Sequence, residues 1–170
     1  GGAPANVAVA AARLGAETAF YIRFAEKERQ SLPKAHMFPR PIGAEGYVDL
    51  RRRALKGRNF MEWGGRLVEF QCQISQGEGG GLFSFPQAPQ CCAAAEIDEE
   101  GRLQVRELLG PEEALEGCLA GLMDMLGCQR AQVRLPPWSQ ALGGEKEPFA
   151  MVSGRPVPAG EEWYLGFDFA

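Results

Sequence analysis

The feature that most constrains the fold is the segment from Pro111 to Gly127, which has the start, stop and periodicity of a packed helix. Proline suits the first helical turn, acidic side chains there complement the positive end of the helix dipole, and glycine ends a helix. Glu112 and Glu113 follow Pro111, and Gly127 closes the segment. Apolar residues recur at helical spacing, which predicts one face buried in a core. These residues are Leu115, Leu119, Leu122, Met123 and Leu126.

Segments with the β-branched and aromatic content of strands precede and follow this helix. Strands are predicted over residues 16–24, 91–97, 102–109 and 131–135, with further strand-like sequence in 148–152 and 162–169. Additional helices are predicted over 4–14 and about 46–56. The expected fold class is α/β or α+β, with a mixed, largely antiparallel sheet packed by about three helices.

Residues 59–74 have the pattern of a β-hairpin. Gly64-Gly65 is a two-residue turn of the kind that joins antiparallel strands. From Glu69 onward, polar and apolar residues alternate up to Ile74, as in a strand with one buried face. We therefore predict strands over 59–63 and 66–74.

The sequence divides into three parts. Residues 1–24 form a predicted helix and strand, residues 25–45 are a predicted linker or irregular segment, and residues 46–170 are a predicted mixed α+β domain. The middle part has four charges in its first five residues, three prolines and no sustained period. That composition favours a boundary near Pro39 to Gly43.

Charge and composition exclude several function classes. The chain has 170 residues, with 18 basic and 22 acidic residues and a net charge of −4. The basic residues are scattered except for Arg51-Arg52-Arg53, which we interpret as a solvated helix face, so no nucleic-acid partner is expected. No apolar run reaches the length of a membrane span, so no membrane partner is expected either. A small-molecule sugar remains the partner to consider, and the oligomeric state is left open.

The cysteines and the single histidine give no catalytic or metal site. Five cysteines without a C-x-x-C pair predict neither a disulfide framework nor a zinc site, and a reducing cytoplasm fits them best. His36 lies in the proline-rich segment without a nucleophile motif nearby. The expectation is therefore no metal, no catalytic residue in this chain, and a cytoplasmic location.

The opening GGAPANVAVAAARLG resembles the first signature segment of the ribokinase/PfkB family of carbohydrate kinases, and its fructokinase-like variant most. The resemblance covers about residues 1–20 and implies that Gly1, Gly2 and Asn6 contact a sugar. A complete kinase of this type would use ATP and Mg²⁺. The family's later glycine-rich segment with its catalytic Asp has no counterpart here, so we expect no phosphoryl transfer by this chain alone. The competing interpretation is a buried alanine helix after a glycine turn.

Residues 60–170 resemble the non-catalytic lobe of two-lobed GNAT-type acetyltransferases. The resemblance is carried by the segments 105–109, 133–136 and 148–151 and by the helix between the first two. It implies a mixed sheet packed by helices, no cofactor in this lobe, and acetyl-CoA in a complete enzyme. Gln76 to Gly81, QGEGGG, matches the Gln/Arg-x-x-Gly-x-Gly pattern that binds the acetyl-CoA pyrophosphate in that superfamily. Because strand-like LFSF follows it, we expect a connecting loop instead.

Two hypotheses therefore stand. The first is a fragment or composite chain with a sugar-kinase opening whose catalytic half is absent. The alternative is an accessory non-catalytic lobe of a GNAT-type N-acetyltransferase. A composite of both would join between about Phe20 and Arg40, where the composition changes.

Overall fold

The computed structural model describes residues 17–34, 37–152 and 162–167, which contain nine strands and three α-helices. In chain order these are β1 (Glu17–Glu28), β2 (Arg40–Pro41), α1 (Ala44–Ala54), β3 (Asn59–Phe60), α2 (Gly65–Gly77), β4 (Gly81–Ser84), β5 (Cys92–Ile97), β6 (Leu103–Leu109), α3 (Glu112–Leu126), β7 (Arg130–Leu135), β8 (Glu145–Val152) and β9 (Trp163–Tyr164). A 3-10 turn, Arg29–Ser31, follows β1.

The strands form a single mixed sheet in the order β2-β4-β5-β6-β7-β1-β9-β3, and β8 pairs with the other edge of β1. Neighbours run antiparallel except for the pairs β6–β7, β1–β9 and β3–β9. This confirms the predicted fold class. The strands predicted over 91–97, 102–109 and 131–135 are confirmed as β5, β6 and β7.

Helices cover both faces of this sheet, and each face has its own apolar core. Successive residues of β5 alternate between the two cores, since Ala93 and Ala95 belong to one and Cys92 and Ala94 to the other. The core with Ala93 and Ala95 is completed by α3, and the other core by α1 and α2. All five cysteines are buried and free, so they act as small apolar core residues.

The helix predicted from Pro111 to Gly127 is confirmed as α3. Pro111 occupies the N-cap, and Gly127 ends the helix in the left-handed conformation with φ 71°. Its N–H donates a hydrogen bond to the Met123 carbonyl, as in a glycine-capped helix end. Start and stop signals therefore placed this helix to within one residue at each end.

The predicted hairpin over 59–74 is wrong, because Gly65–Gly77 forms the helix α2 and only Asn59–Phe60 is a strand. The buried residues of α2 recur at spacings of three and four: Val68, Gln71, Cys72 and Ser75. The apolar residues that suggested a strand were Leu67, Phe70, Cys72 and Ile74. Cys72 is buried, but the other three lie on the exposed side of the helix. Packing against the sheet selects the helical period over the alternation that the sequence suggested.

The predicted irregular segment over 25–45 is shorter than expected at both ends. β1 continues to Glu28 and includes the buried residue Ala25, and α1 begins at Ala44. After β1, Arg29 contacts α3 through a bidentate ion pair with Asp124, with hydrogen bonds of 2.6 and 2.8 Å. β1 lies in the same sheet as the strands of the predicted 46–170 domain. The helix predicted over 4–14 lies outside the described residues, and the division at residue 24 stays a prediction.

Candidate functional site

The only parallel strand–helix–strand unit among the described residues is β6–α3–β7. Its strands pair at Leu103–Ala131, Gln104–Gln132 and Val105–Val133, and then part toward their carboxyl ends. The amino end of α3 lies at this end of the unit. In open α/β sheets, ligands bind beyond the carboxyl ends of parallel strands, and anions bind at helix amino ends. This space, named here the β6–β7 opening, is therefore the candidate site to test.

The β6–β7 opening is filled by the chain itself. Side chains from four parts of the fold meet there, and the remaining cavity measures about 20 Å³, room for one water molecule. Its lining includes Leu55 after α1, Leu109 at the end of β6, Glu112 of α3, and Trp138 and Ser139 after β7. The Ser139 hydroxyl is buried and has no hydrogen-bond partner in the described structure. A drug-sized ligand needs a cleft of roughly 300 Å³ or more.

Trp138 is the largest group in the opening, and its indole is held from two sides. It packs edge-on against the Tyr164 ring, with centroids 6.0 Å apart and planes at 70°. The Arg58 guanidinium lies over the same indole at 5.0 Å from its centroid. Aromatic and cation–π contacts of this geometry stabilise the placement of the ring. The indole is therefore a packed part of the fold and closes the opening.

The amino end of α3 is not a phosphate site. Pro111 has no N–H to offer, and Glu112 and Glu113 place two negative charges beside the free amides of the first turn. The Glu112 carboxylate accepts a hydrogen bond of 2.9 Å from the Gln140 amide, which ties the following loop across the opening. Gly110, the residue before Pro111, lies so close to Cys91 that a Cβ there would overlap the Cys91 sulfur. Two acidic side chains in the first turn therefore disfavour an anion at this helix end.

The QGEGGG segment is a connecting turn, as expected from the strand that follows it. It ends α2 at Gly77 and leads into β4, so it lies at the negative end of a helix dipole. Gly79 adopts φ 73°, and a Cβ on Gly80 would overlap the Ala95 carbonyl of the neighbouring strand. These glycines are required by the turn and by its close approach to β5. The segment matches the pyrophosphate-binding pattern in sequence, but it follows a helix and does not begin one.

A fully buried ion network lies on the other face of β6. The Glu107 carboxylate accepts a 2.7 Å hydrogen bond from the Tyr47 hydroxyl and two of 3.1 Å from Arg51 Nε. Arg51 also donates to the carbonyls of Met61 at 2.6 Å and Leu165 at 3.2 Å. Glu107 is 0% and Arg51 3% exposed. The network joins α1, β6 and the residues after β9.

Electrostatics make this network structural. Burial lowers the pKa of the Arg51 guanidinium, but the facing Glu107 carboxylate raises it, and the net pKa is above the ordinary arginine value. Burial and then the Glu107 charge raise the pKa of the Tyr47 hydroxyl well above its ordinary value. Arg51 is therefore a permanent cation and Tyr47 a neutral donor. The buried Tyr164 hydroxyl lies beside this pair and has no hydrogen-bond partner in the described structure.

Sequence reasoning missed this network. Arg51 was interpreted as part of a solvated triplet, which is right for Arg52 and Arg53 but wrong for Arg51. One signal was present: Glu107 directly precedes the apolar pair Leu108-Leu109 in β6, and a carboxylate buried there needs a cation. A bulge at Arg106 turns Glu107 toward α1, because Val105 pairs with Ala95 while Glu107 pairs with Ala94.

A second concavity, of about 390 Å³, lies at the opposite ends of β6, β7 and β1. Its charged lining is largely satisfied internally. Arg102 binds Asp98 at 2.8 Å and Glu100 at 3.3 Å, while Gln132 donates to Glu26 at 2.9 Å. Acidic and basic side chains line it together, which is typical of a solvated sheet surface. It offers no set of unpaired groups that converge on a ligand.

The predicted sugar-contacting residues Gly1, Gly2 and Asn6 lie outside the described residues, as does His36. Across the described ranges, no group of three or more metal-ligating side chains is found. No helix in that part of the chain is long and apolar enough to cross a membrane.

No family model matches the sequence, and no curated protein matches it either. The fold, however, is similar to those of solved GCN5-related N-acetyltransferases. The enzyme from Kribbella flavida is 16% identical, with a TM-score of 0.51, over 77% of this chain and 34% of that one. The one from Anabaena variabilis is 11% identical, with a TM-score of 0.57, over 84% and 40%. A probable N-acyltransferase from Enterococcus faecalis is 11% identical, with a TM-score of 0.57, over 82% and 41%.

At these identities the likeness concerns the fold alone. It supports the GNAT-like resemblance of residues 60–170, and none of the comparisons supports the kinase resemblance of residues 1–20. This chain spans 34–41% of the length of those three proteins.

Proposed function

We propose that this chain is an accessory, non-catalytic lobe of a larger GNAT-type N-acetyltransferase. The observation that carries the proposal is the closed β6–β7 opening within a GNAT-like fold. Where a cofactor-binding lobe needs a cleft and free helix amides, this one has a packed indole and two carboxylates.

The fit of acetyl-CoA to this lobe is poor on three independent grounds. The space beyond β6 and β7 has a volume of about 20 Å³, which is enough for one water molecule but far too small for a pantetheine arm. The α3 amino end carries Glu112 and Glu113, which would repel a pyrophosphate. The glycine-rich segment Gln76–Gly81 lies at a helix carboxyl end. No catalytic step is therefore assigned to these residues.

The partial coverage of the similar structures favours a lobe over a whole enzyme. A sheet with two covered faces and a buried ion network is suited to supporting and orienting a neighbouring lobe. The chemistry would then reside in the remaining part of the larger protein, which would bind acetyl-CoA and the amine acceptor.

Calorimetric titration of acetyl-CoA into the 170-residue chain tests the proposal. No saturable heat is expected up to about 1 mM ligand, which limits any binding free energy to roughly −4 kcal/mol. Saturable binding with a micromolar Kd would refute the accessory role. Glu112→Gln is a useful companion variant, because it removes one repelling charge while keeping the side-chain shape. If acetyl-CoA binds at the opening, Glu112→Gln should strengthen that binding.

An ATP-consumption assay with fructose or ribose addresses the kinase alternative. Turnover at background level agrees with an accessory lobe. Robust turnover would restore the kinase interpretation of Gly1, Gly2 and Asn6.

A further inference from the structure

We propose that this chain self-associates through a two-fold contact centred on Phe38. Phe38 is the most exposed large apolar side chain among the described residues, at 64%. The surface, named here the Phe38 patch, consists of Phe38, Met125 of α3 and the charged residues Lys34, Arg40, Glu113 and Glu116. This inference concerns assembly and does not depend on the acetyltransferase proposal.

The backbone that carries Phe38 is fixed on α3 by two glycines. Gly117 and Gly121 are one helical turn apart, and a Cβ at Gly121 would overlap the Met37 carbonyl oxygen. A Cβ at Gly117 would lie 3.1 Å from Met37 Cγ. The backbone of Met37 therefore rests directly on the helix.

A hydrogen bond holds the next residue in place. The Phe38 amide donates to Gln87 Oε1 at 3.0 Å, and Pro39 restricts the backbone that follows. An aromatic side chain presented on a fixed backbone loses little conformational entropy when it is buried by a partner. Such side chains dominate the energetics of protein interfaces.

The surroundings of Phe38 extend along one row of α3. Residues four apart are neighbours on a helix surface, so Glu113, Gly117, Gly121 and Met125 form a row that the 37–39 segment crosses in the middle. Met125 is 43% exposed at one end of the row, and Glu113 is exposed at the other. The apolar centre is thus flanked by charge.

The charges select a second copy of this chain as the occupant. Lys34 and Arg40 on the crossing segment and Glu113 and Glu116 on α3 are exposed, and none of them makes an ion pair in the described structure. A two-fold contact requires a surface that contains its own complement. Here, the basic segment of each copy can face the acidic first turn of α3 in the other copy, with Phe38 near the two-fold axis.

Sedimentation equilibrium over about 10–500 µM protein tests this contact, since a small patch predicts a dimer in the micromolar range. Phe38→Ser should weaken dimerisation at least tenfold. Leu67→Ser is the matched control, because Leu67 is 43% exposed on α2, away from the patch, and should leave dimerisation unchanged. Circular dichroism and the melting temperature verify that both variants fold. A monomeric wild type, or equal dimerisation of wild type and Phe38→Ser, overturns the proposal.

Charge reversal tests the two-fold geometry. Lys34→Glu/Arg40→Glu makes the patch uniformly acidic, and Glu113→Lys/Glu116→Lys makes it uniformly basic. Each double variant alone should dimerise at least tenfold more weakly than wild type, while an equimolar mixture should recover dimers. Only a contact between the basic and acidic parts of two copies gives this recovery. Failure of the mixture to recover, with both variants folded, refutes the assignment.

Discussion

Replacing Arg51 by methionine should destabilise the fold more than any other single arginine substitution on α1. The variant removes the guanidinium that faces Glu107, which is 0% exposed and keeps its hydrogen bond from the Tyr47 hydroxyl. Removing one member of a buried ion pair typically costs about 3–5 kcal/mol, because the other charge stays buried without compensation. The loss is a large part of the 5–15 kcal/mol that usually holds a domain together.

Arg53→Met is the matched control, because Arg53 is an exposed residue of the same helix. Surface substitutions of this kind change stability by roughly 0.5 kcal/mol or less. Urea unfolding followed by circular dichroism gives both free energies of unfolding, and the melting temperature of Arg51→Met should fall by about 10 °C. A loss below about 1 kcal/mol for Arg51→Met would refute the buried-pair reasoning.

The double variant Arg51→Met/Glu107→Met separates the ion pair from simple packing. Replacing both charges with apolar groups of similar length removes the unpaired charge, so the double variant should be more stable than Arg51→Met alone. If the double variant instead loses as much stability as Arg51→Met, or more, the ion pair itself contributes the stability and the unpaired charge is not the cause of the loss.

Three further substitutions probe the packing of residues 37–39 on α3 and the pH dependence of stability. Gly121→Ala should destabilise by about 2 kcal/mol, because the new Cβ overlaps the Met37 carbonyl, whereas Gly46→Ala in open space on α1 should stabilise by about 0.5–1 kcal/mol; urea unfolding of both variants tests the contrast. Partial burial raises the pKa of Asp98, but hydrogen bonds from the Arg102 amide and side chain outweigh it and lower the pKa to about 2. A lowered folded-state pKa contributes stability above the unfolded value near 4, which is lost as pH falls toward 2, so wild type and Asp98→Asn should converge in stability over that range. Equal pH dependence of both proteins would contradict this assignment.

The sequence prediction was correct where local signals, such as helix start and stop residues, agreed with the packing of the fold. α3 has a proline at its start, a glycine at its end and an apolar stripe between them, and all three indicate the same helix. β5 and β6 were predictable because turn residues separate two apolar runs. In both places, neighbouring residues determine the structure, and the fold adds only the partner surface.

Contacts between distant residues decided the rest. α2 was predicted as a strand because Leu67, Phe70 and Ile74 are apolar, yet these side chains are exposed and the buried set is offset from them. The burial of Arg51 depends on Glu107, which is 56 residues away in sequence. Local periodicity contains no information about such partners, so neither result could be inferred from it.

The candidate site illustrates the same difference. The carboxylates at the start of α3 were visible in the sequence, and they already disfavour a phosphate ligand there. Closure by Trp138 was not visible, because it depends on the placement of Arg58 and Tyr164 around the indole.

The most direct test of the accessory role is the number of acetyl-CoA molecules that bind to the natural polypeptide carrying this sequence. Calorimetry of that polypeptide and of this 170-residue chain under identical conditions gives the number of sites in each. We expect saturable binding by the natural polypeptide and none by this chain, because Trp138 closes the β6–β7 opening and the Glu112 carboxylate disfavours an anion there. Saturable binding by this chain, or none by the natural polypeptide, would contradict it.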